Sequence, residues 1–261
     1  MVYDSSIIYK KKLQSCGFTG RANRFMLLNM KEYKHLFFDM DQTVAPSRQP
    51  ILREMYDLLD SLDHDVIIVS GQEVSKIGWQ ISNLPAYTLG QNGNHATNVE
   101  NEELWNIPLD NHHRQEILSH IKAIVEIIDH EPNPDWNPVE DRGSQITFSP
   151  IGNTAPVEAK KKYDPNRKKR EYLMEKVPFN SEELVVKIGG STSLDYIHKD
   201  RHKGTNVQKL IDLKGWNKEE CVYFGDALYP GGNDEAVIGV IETIAVDDHN
   251  DTYKKLIKLL F

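Results

Sequence analysis

Apolar residues in this chain form two kinds of segment, which alternate. HLFFD at residues 35–39 is an apolar run that ends at a carboxylate, and ILREMYDLLDSL at 51–62 has apolar residues at helical spacing. VIIVSG at 66–71 and EVSKIGWQISNL at 73–84 repeat the pair. Continuous apolar runs predict strands that are buried on both faces, as in a parallel sheet covered by helices.

The same alternation returns near the end of the chain. NVQKLIDL, within residues 204–214, has helical spacing, whereas CVYFGDA at 221–227 and ETIAV at 242–246 are strand-like. TYKKLIKLLF closes the sequence as an amphipathic helix. We therefore predict an α/β fold with a doubly wound, Rossmann-like parallel sheet built from both halves of the chain.

The middle of the chain has a different character. HHRQEILSHIKAIVEIIDH at 112–130 predicts a helix with one apolar stripe, EPNPDWNPVED supplies a loop with three prolines, and QITFS and LVVKIGG predict short strands around a basic helix. This pattern indicates an inserted α+β domain. Residues 1–29 show no clear period and are either a flexible arm or a segment ahead of a start at Met30. The predicted division is an extension at 1–29, a core at 30–97 and 197–261, and an inserted domain at 98–196.

Charge and cysteine content exclude some classes of function. The net charge of −8 argues against binding to nucleic acid, which requires a basic surface. The one basic cluster, residues 160–170, is interrupted by Asp164 and Pro165 and is expected to form a solvated helix face. Cys16 and Cys221 are too few for a disulfide framework or a thiolate metal site, which favours a reducing cytosol.

Two further features of the sequence bear on cellular location and on whether the histidines bind metal. The sequence has no run of 18 apolar residues, and its N-terminus lacks the apolar segment of a signal peptide, so we expect a cytoplasmic protein with no membrane partner. His112 and His113 are adjacent and should point to different sides of a helix, so we expect the histidines not to bind metal.

Carboxylates follow the predicted strands at the edge where open parallel sheets bind ligands. Asp39 and Asp41 come at the end of the first strand, Ser70 follows the second, and Asp226 follows VYFG. Asp234 stands just after a glycine-rich loop. Several carboxylates at one edge would repel each other unless a cation were bound, and oxygen ligands suit Mg2+.

Four motifs in this order resemble those of the haloacid dehalogenase (HAD) superfamily of phosphotransferases. DMDQT is similar to the first motif, VIIVSG to the second, HKDRHKG to the third and FGDALYPGGND to the fourth. The long gap between Ser70 and Lys203 resembles the group with a C2-type cap domain, and the chain is most similar to its phosphomannomutase-like and Cof-like members. The resemblance covers roughly residues 34–261.

The resemblance implies a role for each motif residue. Asp39 would be the nucleophile that becomes an aspartyl phosphate, and Asp41 the general acid and base. Ser70 would hydrogen-bond the phosphoryl group, and Lys203 would neutralise its charge. The resemblance also implies a Mg2+ ion, with the ligand set Asp39, the Asp41 carbonyl, Asp226 and Asp234.

Gln42 departs from the family pattern, which usually has glycine after the second aspartate. If the backbone there needs a positive φ, glutamine would cost about 1 kcal/mol or more. This departure leaves open a catalytically impaired protein that only binds phosphosugars.

The resemblance also assigns substrate contacts. Arg48, Arg142, Ser193 and Asp195 match positions that contact substrate in phosphomannomutases. At Asn153 the mutases usually carry an arginine that holds the distal phosphate of a bisphosphorylated intermediate. A neutral residue there favours hydrolysis of a small phosphorylated metabolite, such as a sugar phosphate, over mutase activity.

Two points stay open in the sequence. Arg114, Arg142 or the 160–170 cluster is able to replace the missing arginine, so phosphomannomutase activity is the alternative to hydrolysis. Either a monomer or a homodimer is compatible with the sequence.

Overall fold

Two β-sheets and seven α-helices organise the described part of the chain. This computed structural model describes residues 32–260, so the predicted extension at 1–29 lies outside the described residues. In chain order, the elements are β1 His35–Asp39, α1 Arg53–Asp60, β2 Asp65–Val69, α2 Val74–Gln80, β3 Tyr87–Gly90, β4 His95–Thr97, β5 Glu103–Asn106, α3 Asn111–Val125, β6 Val139–Asp141, β7 Gln145–Phe148, α4 Val157–Tyr163, α5 Lys168–Lys176, β8 Leu184–Gly189, β9 Ser193–His198, α6 Lys203–Lys214, β10 Cys221–Gly225, β11 Glu242–Ala245 and α7 His249–Leu260.

The larger sheet confirms the predicted α/β fold. It has seven strands in the order β11-β10-β1-β2-β3-β4-β5, and the five strands from β11 to β3 are parallel. The sequence analysis did not predict β3 or the antiparallel pair β4 and β5 at the edge. No helix among residues 32–260 has the length and hydrophobicity needed to cross a membrane.

Alternate residues of the central strands face two separate apolar layers. Leu36 and Phe38 of β1 pack in one layer with residues of α1, α2 and α7, such as Met55. Phe37, between them, faces the other layer with Leu210 of α6. This two-sided burial explains why β1 and its neighbours are apolar throughout, since neither face of the sheet meets water.

The smaller unit consists of α3, β6 to β9, α4 and α5 and has its own core. Its four strands pair antiparallel in the order β6-β7-β9-β8. Ile117 and Ile121 of α3 pack with Phe148, Leu194 and Tyr196 of the sheet. The stripe on α3 was predicted, whereas β6 and β9 were not.

Strand pairing differs from the predicted domain limits at both ends, since β9 keeps residues 197–198 in the smaller sheet although they were assigned to the core. Residues 103–106 form β5 in the larger sheet, although the sequence analysis assigned them to the inserted domain. The physical reason is Trp105, which packs in the larger unit and donates its indole N–H to the Gly93 carbonyl at 2.8 Å. The division into two domains itself stays a prediction.

The basic cluster at 160–170 is not only a solvated helix face, so that expectation was wrong for its last residue. The cluster spans α4 and α5, and Arg170 lies in the interior of the smaller unit, where its Nε donates to Asp164 Oδ2 at 2.7 Å. The other basic residues of α5 are solvent-exposed, in line with the prediction.

Candidate active site

The carboxyl ends of neighbouring strands bring three aspartates together. β1 ends at Asp39, and its parallel neighbour β10 ends directly before Asp226. Asp234 follows the next loop and is buried. One carboxylate oxygen from each of these three residues lies within 4.8 Å of the other two. The structure thus assembles three of the four residues that the sequence analysis assigned to a metal.

Lys203 lies between two of these carboxylates. It is the first residue of α6, its side chain is 1% exposed, and its Nζ donates to Asp39 Oδ1 and, at 2.7 Å, to Asp234 Oδ1. Burial lowers the pKa of Lys203, but the two carboxylates raise it more, so the net shift is upward. The ammonium group is therefore charged at neutral pH and touches the predicted nucleophile.

Asp234 is held by protein donors, including one that the sequence analysis missed. Tyr223 donates its hydroxyl to Asp234 Oδ1 at 2.7 Å, and Ala227 N–H donates to Oδ2 at 3.3 Å. Burial raises the pKa of Tyr223 well above its usual value, and the Asp234 charge adds to this effect. A tyrosine in an apolar strand was the available signal, because a buried hydroxyl usually has a partner.

The charge balance of this group favours a bound cation. Burial raises the pKa of Asp39 to about 7 against the effect of Lys203, while Asp234 and Asp226 raise it further. Burial, and then Asp234, also raise the pKa of Asp226. Three carboxylates facing one ammonium group leave excess negative charge, and a cation would favour their ionised forms. An all-oxygen set of this kind fits Mg2+.

Two glutamines and one backbone N–H donate hydrogen bonds to the carboxylate of Asp41. Its carboxylate accepts Gln72 Nε2 at 2.9 Å, Gln80 Nε2 at 3.0 Å and the Arg48 backbone N–H at 2.6 Å. Gln72 and Gln80 also hydrogen-bond each other at 2.8 Å. These glutamines hold the predicted general acid, and nothing in the local pattern of α2 or of the loop before it indicated that role.

Gln42 and Ser70 lie in the loops after β1 and β2. Ser70 is buried directly after β2, and its Oγ accepts the Gln72 N–H at 3.2 Å. Gln42 has a φ of 65° and donates its N–H to the Ala45 carbonyl at 2.8 Å. The left-handed conformation that the sequence analysis considered for Gln42 is therefore present, although this residue is not glycine.

Cationic side chains from both units surround Glu140 of β6. Arg142 Nη2 donates to Glu140 Oε2 at 2.6 Å, and Lys76 Nζ of α2 lies 3.9 Å from Oε1. Burial opposes ionisation of Glu140, but the bond from Arg142 and the charges of Lys76 and Arg48 give a net lowering of its pKa. Arg48 itself is exposed, with a φ of 56°. The predicted contacts Arg48 and Arg142 thus share one polar region.

Asn153 is tied into its own turn, and a lysine lies beside it. The side-chain amide donates to the carbonyls of Pro138 and Thr147, both at 3.2 Å. The Asn153 carbonyl accepts Lys160 Nζ at 2.5 Å. Burial, and then the charge of Arg48, lower the pKa of Lys160. Lys160 of α4 therefore brings positive charge to the position where the sequence lacks an arginine.

Ser193 and Asp195 lie on β9, in the sheet whose β6–β7 turn contains Arg142. Asp195 Oδ1 accepts the Thr147 hydroxyl at 2.9 Å. Burial raises the pKa of Asp195, although hydrogen bonds from Thr147 and Ser193 and the Arg142 charge oppose the shift. These predicted contacts belong to the smaller unit, apart from the aspartates of the larger sheet.

Comparison with known proteins gives one family. The sequence profile described as eukaryotic phosphomannomutase matches residues 55–261. The phosphomannomutase of Encephalitozoon cuniculi is 29% identical over 244 residues, which is 87% of this chain and 93% of that protein. The probable phosphomannomutase of Caenorhabditis elegans is 29% identical over 247 residues, with 86% and 94% covered.

Solved structures agree on the fold. A haloacid dehalogenase-like hydrolase from Bacteroides thetaiotaomicron superposes with a TM-score of 0.54 at 14% identity, covering 85% of this chain and 92% of that one. At this identity the likeness shows a shared HAD fold.

Proposed function

This chain belongs to the eukaryotic phosphomannomutase family within the HAD superfamily, and from that premise we propose that it moves a phosphoryl group between hydroxyls of a hexose phosphate through Asp39. One observation carries the proposal: buried Asp39 lies against Lys203 and within 4.8 Å of Asp226 and Asp234 at the carboxyl edge of the sheet. Positive charge beside a carboxylate is what attack on a phosphate ester requires.

The proposed first step uses Asp39 and Asp41. An Asp39 oxygen forms a bond to phosphorus as the bond from phosphorus to one sugar oxygen of a hexose bisphosphate breaks, giving an aspartyl phosphate and a hexose monophosphate. Asp41 gives its proton to the leaving oxygen and, in the second step, takes one from the incoming hydroxyl. The bonds from Gln72 and Gln80 hold Asp41 in place for both transfers.

The remaining residues balance charge and orient the phosphoryl group. Lys203 offsets the charge of Asp39 and of the phosphoryl oxygens, and Ser70 donates its hydroxyl to one of them. Asp39, Asp226, Asp234 and the Asp41 carbonyl would hold Mg2+, which supplies further positive charge at phosphorus when bound.

Return of the phosphoryl group to the sugar is supported by the cations around Glu140. A mutase must hold the second phosphate of its bisphosphorylated intermediate while that intermediate reorients in the site. Four cations, Arg48, Lys76, Arg142 and Lys160, outnumber the two carboxylates Glu140 and Glu73, the second of which lies 3.7 Å from Lys76 Nζ. We propose that Lys160 supplies the charge that Asn153 lacks, with Ser193 and Asp195 contacting the sugar hydroxyls.

Hydrolysis is the second candidate, and Asn153 is the observation that favours it. Its amide donates to two backbone carbonyls, so it has no free donor for a distal phosphate. If Lys160 remains bound to the Asn153 carbonyl, the intermediate is held more weakly and water can replace the sugar hydroxyl.

The deciding experiment supplies mannose 1-phosphate and Mg2+, with and without glucose 1,6-bisphosphate, and follows mannose 6-phosphate and free phosphate. Activator-dependent mannose 6-phosphate supports the mutase, and free phosphate without activator supports hydrolysis. The isosteric variant Asp39→Asn is the control and should lose both products. Sugar phosphate binding without any phosphoenzyme would reject both reactions in favour of a binding protein, and activity gained in Gln42→Gly would then identify Gln42 as the cause.

A further inference from the structure

A second group of potential metal ligands lies in the smaller unit, away from the aspartates. It consists of His113 in the first turn of α3, Glu183 just before β8, and His198 at the end of β9. One ligand atom from each residue lies within 4.8 Å of the other two. His113 Nε2 is 2.8 Å from Glu183 Oε2, and the two imidazole rings meet edge to face at 5.9 Å between centroids.

The residue types of this group suit a cation. Two neutral imidazoles and an ionised carboxylate are a common ligand set for Zn2+ in proteins. A ligating imidazole must be neutral and a ligating carboxylate ionised.

His113 has a feature that ordinary packing leaves unexplained. The residue is buried, and within residues 32–260 its Nδ1 has no hydrogen-bond partner. Asp110 Oδ1 lies 3.2 Å from that nitrogen but accepts the His113 backbone N–H instead. A carboxylate next to the second ring nitrogen is the usual neighbour of a metal-bound histidine, because it fixes the tautomer once the first nitrogen binds.

The group also occupies a particular place in the chain. His113 follows the segment that enters the smaller unit after β5, and His198 precedes the segment that leaves it for α6. Each of these two segments makes a backbone hydrogen bond. Leu109 N–H donates to the Gly143 carbonyl in the β6–β7 turn at 2.8 Å, and the Arg201 carbonyl accepts Asn94 Nδ2, just before β4, at 3.1 Å. An ion bound here would join the two connections between the units.

We propose that His113, Glu183 and His198 form a binding site for a divalent transition-metal cation of the Zn2+ class, with Asp110 orienting His113 and water completing the coordination. Binding costs two hydrogen bonds, the one between His113 Nε2 and Glu183 Oε2 at 2.8 Å and the one from Asp200 N–H to His198 Nδ1 at 3.2 Å. If His198 coordinates the ion through Nδ1, the lone pair that accepts this N–H is taken up by the metal. If it coordinates through Nε2, the ring proton lies on Nδ1, which then cannot accept the N–H. Asp200 is exposed, so water can satisfy its N–H.

The test measures Zn2+ binding by competition with a chromophoric chelator, in excess Mg2+ to occupy the aspartate site. Glu183→Gln and His198→Gln are the test variants; the Glu183 side chain is 62% exposed, so its substitution should leave the fold intact. His95→Gln is the matched control, because His95 Nε2 pairs with Glu103 at 3.2 Å but belongs to no group of three possible metal ligands among residues 32–260.

We expect one Zn2+ bound per chain, with each test variant weakening it by more than the roughly 10- to 100-fold loss typical of an outer-shell partner. Affinity should be unchanged in His95→Gln and in Asp226→Asn. The Co2+ form should show visible d–d absorption typical of nitrogen ligands, lost in His198→Gln. Zn2+ binding that survives both test variants, disappears in Asp226→Asn, or is absent from the unmodified protein would overturn the proposal.

Discussion

Arg170 offers the sharpest test of how the smaller unit is held together. Its Nη1 donates to the carbonyls of Gly189, Gly190 and Ser193 at 2.7, 3.1 and 3.4 Å, and its Nε to Asp164 at 2.7 Å. The side chains of Arg170 and Asp164 are 1% and 0% exposed. Arg170→Met would keep an apolar stem of similar length but leave Asp164 as a buried charge without its cation.

The expected cost follows from what remains after the substitution. Removing one partner of a buried ion pair typically costs about 3–5 kcal/mol. Asp164 keeps the backbone N–H groups of Lys169 and Arg170 at 3.0 and 3.3 Å, and the exposed Gly190 carbonyl can turn to water. We therefore expect the lower end, about 3 kcal/mol, at neutral pH.

The effect should depend on pH with a definite sign. Burial acts to raise the pKa of Asp164, but the Arg170 bond and the backbone N–H groups lower it below its ordinary value. The pair therefore stabilises the fold fully above the ordinary aspartate pKa, near 4, and less as pH falls through the lowered value. In Arg170→Met, a lone buried carboxyl should protonate at higher pH. The difference in unfolding free energy should thus shrink in acid.

Urea unfolding followed by far-UV circular dichroism, at neutral pH and below about pH 4, measures both effects. Lys168→Met, on the same helix but exposed, is the matched control and should change stability by less than about 0.5 kcal/mol. A cost for Arg170→Met below about 1 kcal/mol, or one that does not shrink in acid, would refute the interpretation of this pair as buried and ionised.

Three further predictions concern the candidate active site. Lys203→Met should lower the single-turnover rate of phosphoryl transfer by about 10²–10³-fold or more, because it removes the buried cation next to the nucleophile; a rate within a few-fold of normal would exclude its proposed role. Gln42→Gly should keep activity and raise the unfolding free energy by about 0.5–1 kcal/mol, since glycine relieves the φ of 65°; a loss of stability in urea would contradict this. Tyr223→Phe should lower the unfolding free energy by about 1.5–3 kcal/mol through the lost bond to Asp234, and an unchanged urea midpoint would count against that bond.

Local pattern determined the central fold and the position of the aspartates. The runs that became β1, β2 and β10 are apolar because both sheet faces are covered there, and that burial is visible residue by residue. The edge strand β11 was also predicted as a strand, but its residues are exposed or only partly buried. Asp39 and Asp226 could be placed together because parallel strands end at one edge. The motif resemblance is supported by family membership, and it suggested residue roles that hydrophobic periodicity alone does not indicate.

Contacts between distant segments were decided only by the tertiary structure. Nothing near Tyr223 in the sequence points to Asp234, and His113 and Glu183 are 70 residues apart. Arg170 looked like one more solvated cation until β8 and β9 supplied the carbonyls that bury it. Periodicity reports which face of an element is apolar, whereas these pairings depend on how the elements cross in space. A local sequence pattern does not indicate these pairings, because the paired residues come together only in the folded chain.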